Sequence, residues 1–87
     1  MKLKTENKMK RFKIEGSSNI AEIGYDYDNL TLEIQFLNGK VYQYWPISPS
    51  GYDSFLKAKS KGGFFAQHIK NNKGINYKKL DDLQTHI

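Results

Sequence analysis

Tyr42 and Tyr44 flank a single residue and Trp45 follows at once, so three aromatic rings fall within four positions. An aromatic face is a surface on which an unpaired nucleic-acid base can stack, whatever its identity. Further along, Lys57, Lys61, Lys70 and Lys73 lie off the apolar stripes of the helices expected there. Cations so placed can follow a phosphate backbone. Stacking rings beside cations are the chemistry of single-strand binding. The same residues have a plainer use, since tyrosines fill cores with their hydroxyls at the rim and lysines keep small domains in solution.

Groups for covalent or metal chemistry are sparse. The chain has no cysteine, which removes thiol nucleophiles, thiolate zinc sites and disulfides. His68 and His86 are far apart, and no His, Asp or Glu cluster has the spacing of a three- or four-ligand metal site. His68 reads as a half-buried residue on a helix face. Ser17-Ser18 has no evident base partner, and serines ahead of a strand usually cap or turn. Asp26 reads as a turn acid at a strand end. Gly62-Gly63 lacks the spacing and the preceding strand of a phosphate loop. The expectation is therefore a chain without turnover, cofactor or bound metal.

The elements that must position the rings come from a chain of 87 residues, enough for one domain. Apolar residues make up 38% and aromatics 14%, too many for a disordered tail. No apolar run reaches membrane-span length and no apolar signal core opens the chain, so a cytoplasmic location without membrane contact is expected. The net charge of +5 is divided unevenly. Residues 1–13 carry +5, residues 14–39 carry −5, residues 40–80 carry +7, and Asp81-Asp82 close with −2. Such a dipole can orient an encounter with a polyanion. The pattern divides the chain into a mobile basic arm (1–12), a domain (13–80) and a tail (81–87).

Within the domain, Ile23, Tyr25 and Tyr27 alternate with polar or small residues, predicting a strand over Ile20–Tyr27. Asp28-Asn29 supplies turn chemistry. Leu32, Ile34 and Phe36 alternate again, Asn38-Gly39 signals a hairpin, and Val41 to Trp45 returns as a third strand ended by Pro46. Ser48-Pro49 then reads as an N-cap with proline at the first helical position. Tyr52, Phe55 and Leu56 form one helical stripe. A second helix is expected from about Gly62, with Phe65, His68, Ile69 and Asn72 on one face and Gly74 as its stop. The fold class is α+β: a three-stranded antiparallel meander followed by two short helices packed on one face. A further short strand near Tyr77 is compatible with the pattern. The expected core is Ile20, Ile23, Leu32, Ile34, Phe36, Tyr42, Tyr44, Phe55, Leu56, Phe65 and Ile69.

Hairpin register decides the face on which Tyr42 and Tyr44 sit. A two-residue turn at Asn38-Gly39 sets Tyr42 opposite Gln35 and Tyr44 opposite Glu33. Both rings then lie on the wet face as an open platform, and Gln43 is driven into the core. A type I turn at Leu37-Asn38 with Gly39 in a bulge sets Tyr42 opposite Ile34 and Tyr44 opposite Leu32. Gln43 then meets Glu33 outside, and Trp45 becomes the exposed aromatic. The second register is favoured because it leaves no unpaired glutamine in the core.

One ordered set of residues resembles the KTSC domain family. It comprises Ser17-Ser18-Asn19-Ile20, Gly24-Tyr25-Asp26, Leu32-x-Ile34-x-Phe36 and Gly39. It continues through the Tyr42-x-Tyr44 pair, Pro46, Tyr52, and Ala58-x-Ser60-x-Gly62-x-Phe64-Phe65 with Ile69. The resemblance runs from about Met9 to Leu80. Ala66 departs from it, since the family tends to place a polar residue there. The family takes its name from the C-termini of some lysyl-tRNA synthetases, and other members are small bacterial or phage proteins. The resemblance implies a module with a suggested role in RNA binding and no known activity, cofactor or catalytic residue. RNA or another single strand is the expected partner, with Lys57, Lys61, Lys70 and Lys73 on phosphate and Tyr42, Tyr44 or Trp45 stacking. The alternative is a protein-interaction module, monomeric or weakly dimeric, that meets an acidic protein through a strand edge and Trp45.

Overall fold

The structure is a computed structural model that describes residues 11–80. Five antiparallel strands form one sheet in sequence order: β1 (Arg11–Lys13), β2 (Ile20–Asp26), β3 (Thr31–Phe36), β4 (Val41–Trp45) and β5 (Asn76–Leu80). The three central strands are those of the expected meander. The two outer ones are additions to it. Arg11 and Phe12, read with the basic arm, belong to β1, and residues 1–10 and 81–87 lie outside the described residues. β1 has only three residues, too few for a period of two to show. In β5 the row Asn-Tyr-Lys-Lys-Leu places no apolar residue on alternate positions except Tyr77.

The β3–β4 register pairs Leu32 with Tyr44, Glu33 with Gln43 and Ile34 with Tyr42. This is the bulged alternative. Phe36 N–H donates to the Lys40 carbonyl at 2.9 Å and Gly39 N–H to the Phe36 carbonyl at 2.9 Å. Gly39 has φ +90°, a conformation that glycine enters without steric cost. An irregularity between Ile20 and Glu22 turns both Ile20 and Ile23 to the same face. The turn between β2 and β3 is closed by Asp26, whose carboxylate accepts from Asp28 N–H at 2.9 Å and from the Asn29 amide at 2.8 Å. Ser17 likewise acts as a turn residue, accepting from Ile20 N–H at 3.0 Å.

Helix α1 (Pro49–Lys57) is capped by Ser48, whose Oγ accepts from Gly51 N–H at 3.0 Å. Helix α2 (Lys61–Phe64) starts under a second serine cap, Ser60 to Gly63 N–H at 3.0 Å, and runs on as a π-helical segment, Phe65–Lys70. It ends at Lys70, before the expected stop at Gly74, because the Asn71 amide folds back onto the Ala66 carbonyl at 2.8 Å. Gly74 instead lies in the turn that leads to β5.

Both helices lie on one sheet face. Tyr52 of α1 stacks on Tyr25 at 4.2 Å between centroids, and Phe65 meets Phe36 and Tyr44 edge-on at 5.5 and 5.2 Å. The core holds Ile20, Ile23, Leu32, Ile34, Tyr44, Phe55, Phe65 and Ile69 as expected, together with Tyr25, Ile47 and Tyr52. Leu56 is exposed, because only Tyr52 and Phe55 of α1 reach the sheet. Phe36 and Tyr42 are half-buried at the border of the core. His68 is exposed rather than half-buried, its ring 4.5 Å from that of Phe64.

The opposite sheet face carries an ionic row. Arg11 on β1 and Glu33 on β3 stand on either side of Gly24, which has no side chain to separate them. Arg11 Nε donates to Glu33 at 2.9 Å, and Gln43 donates to the other carboxylate oxygen of Glu33 at 2.8 Å. Glu33 is nearly inaccessible, so its charge depends on these partners. Glu33→Ala should lower the unfolding free energy by about 1–2 kcal/mol in urea melts, because Arg11 loses its partner. Replacing the pair by Arg11→Met with Glu33→Leu should cost less than Glu33→Ala alone. Unchanged stability of Glu33→Ala would mean that water serves Arg11 equally well.

Candidate functional site

The hairpin register sends Tyr42 and Tyr44 to the helix side of the sheet, and β5 sets Tyr77 opposite Tyr44 on that side. Tyr42 and Tyr44 lie nearly parallel, 6.2 Å apart and 18° between planes, with Tyr77 at 6.3 and 6.4 Å from them. The second helix covers only part of this floor. Phe65 lies over Tyr44, which is 6% exposed, while Tyr77 is 69% exposed. The uncovered part is a cleft of about 480 Å³, walled by Phe36 and Phe65 and bordered by Lys70, Asn71 and Asn19. Lys79 pairs with Tyr42 in the β4–β5 ladder and shares its sheet face.

Burial pushes the Tyr44 hydroxyl well above the ordinary phenol range, with Tyr42 and Tyr77 adding to it. Tyr25 and Tyr52 are raised for the same first reason, burial, and Tyr25 donates its hydroxyl to the Ile47 carbonyl. These rings stay neutral through physiological pH. The cleft therefore offers uncharged aromatic faces beside a cation, suited to a flat ring carrying a nearby negative charge.

Of the residues expected to bind, Tyr42, Tyr44 and Lys70 come together here. Lys73 is exposed in the turn between the second helix and β5. Lys57 is paired with Asp53 at 3.0 Å at the end of α1. Lys61 lines a separate hollow of about 220 Å³ with Lys59 and Ser60, its Nζ 3.4 Å from the Ala58 carbonyl. Trp45 falls on the ionic face, away from the cleft, because alternation along β4 puts it opposite to Tyr44. It is half-buried there and not the exposed aromatic expected. Sequence reasoning missed Phe36 and Phe65 as cleft walls, having placed them wholly in the core. It also missed Tyr77, Asn19 and Asn71. The strand expected near Tyr77 was the available signal for that ring. Asn71 had none. Among the described residues no group of three His, Cys, Asp or Glu side chains could hold a metal, and no helix is long and apolar enough to cross a membrane.

The KTSC domain profile matches residues 16–72, most of the chain and all of the cleft except Tyr77. The chain belongs to the KTSC domain family. A crystal structure of a KTSC domain protein from Yersinia pestis is similar over 85% of this chain and 100% of that one. Its TM-score is 0.75, at 40% sequence identity. An uncharacterised protein of Stutzerimonas stutzeri is 36% identical over 62 residues, 71% of this chain and 86% of its own length. The Tyr42-x-Tyr44 pair that carried the resemblance thus forms the floor of the largest cleft of this KTSC domain.

Proposed function

We propose that this KTSC domain is a non-enzymatic cytoplasmic module that binds RNA or another single strand, stacking unpaired bases in the aromatic cleft. The observation that carries the reading is the row of Tyr42, Tyr44 and Tyr77, left partly uncovered beside Lys70. Base stacking on such rings is tolerant of sequence, and the phosphates would meet Lys70, Lys73 and Lys79. The +7 charge of residues 40–80 favours the approach of a polyanion. The second reading is a protein partner that adds a strand beside β5. β5 is an outer strand of the described sheet, exposed along most of its length.

The test is fluorescence anisotropy of labelled RNA and single-stranded DNA across a salt series. Binding should weaken with a log–log slope of about −0.7 per phosphate contacted. Lys70→Glu should weaken all sequences alike, and Lys57→Glu, already occupied by Asp53, should change little. Absence of binding near micromolar concentration at low salt would overturn the proposal and leave the strand-addition reading.

A further inference from the structure

We infer that the cleft discriminates among bases and prefers an unpaired adenine, read by the carboxamides of Asn71 and Asn19. This rests on the nucleic-acid reading above and goes beyond it, since rings and lysines alone are indifferent to sequence. Two neutral amides stand at the border of the aromatic floor, one on each side chain. The Asn71 amide is oriented by donating to the Ala66 carbonyl at 2.8 Å. That bond uses one N–H. The second N–H and Oδ1 have no partner among the described residues. Asn19 is held in the same way from the other side: its Oδ1 receives the Ser17 hydroxyl at 3.3 Å, and its amide N–H groups have no partner among the described residues. Gly62 keeps this position open, since a Cβ there would come within 2.7 Å of Asn19 Oδ1. Both side chains are exposed to a ligand, yet each is anchored at one end.

An anchored carboxamide offers a donor and an acceptor side by side. Its complement is a ring edge with an acceptor beside a donor, the pairing by which asparagine reads adenine. Adenine carries that combination on both of its edges, N6–H with N7 and N6–H with N1. Guanine shows two acceptors on the first of these edges, and the pyrimidines offer a smaller face to the tyrosines. Lys70, on a flexible stem, is left for the phosphate. A cleft of about 480 Å³ has room for one or two nucleotides rather than a long strand, so one base would dominate the preference.

The experiment is a titration of the full chain with labelled heptamer RNAs, uridine throughout except for A, G, C or U at the central position. The adenine heptamer is expected to bind at least about fivefold more tightly than the all-uridine one. Asn71→Ala and Asn19→Ala should each shrink that preference to within about twofold and leave binding of the all-uridine heptamer close to wild type. Circular dichroism melts of both variants control for loss of the helix end. Binding that is blind to the central base, or a preference that survives both substitutions, overturns this inference alone. Failure of every heptamer to bind overturns the single-strand reading with it.

Discussion

Phe55→Ala is expected to cost about 3–5 kcal/mol of unfolding free energy, the range for removing a fully buried phenylalanine. Phe55 has no exposed surface and is the largest of the fully buried side chains. It is where α1 meets the rest of the core, with the Phe64 ring 5.8 Å away on the second helix. Domains of this size hold roughly 0.05–0.15 kcal/mol per residue in total, so the variant should be close to unfolded at room temperature. Leu56→Ala, on the next residue of the same helix, should cost about 0.5 kcal/mol or less because its side chain faces solvent. Guanidinium melts of the two variants separate the faces of α1. Similar losses for both would mean that α1 buries the wider stripe read from its sequence.

The difference between Phe55 and Leu56 marks what could be read from the chain and what could not. The central hairpin was legible down to its register, because one alternative buried Gln43 without a partner. In the structure Gln43 instead donates to Glu33 at 2.8 Å. Both serine caps and the turn role of Asp26 follow from side chains that bond to their own neighbourhood, which is information carried by a few adjacent residues. The outer strands were harder. β1 and β5 take their identity from the strands they pair with, and three residues or a lysine-rich row carry little period of their own. The cleft depends on how far the second helix extends over the sheet. That extent is set by the π-helical turns and the Asn71–Ala66 bond, neither of which has a sequence signature. Tyr42 and Tyr44 were therefore assigned to the correct face, while their exposure had to come from the structure.

The second large effect concerns the cleft itself. Removing one stacking ring should weaken single-strand binding by about 1–3 kcal/mol, or roughly 5- to 150-fold. Tyr42→Ala tests this most directly for the floor, but Tyr42 also packs against Phe36 at 6.0 Å and its loss will cost some stability. Tyr77→Ala avoids that cost, because the ring is 69% exposed at the edge of the sheet. Trp45→Ala is the matched control, an aromatic of the neighbouring strand whose side chain lies on the other face. The decisive measurement is an anisotropy titration of one labelled RNA oligonucleotide at low salt with wild type, Tyr77→Ala and Trp45→Ala. The expected result is at least about fivefold weaker binding for Tyr77→Ala and no change for Trp45→Ala. Equal affinity of all three proteins, or a loss confined to Trp45→Ala, would contradict single-strand binding in the tyrosine cleft.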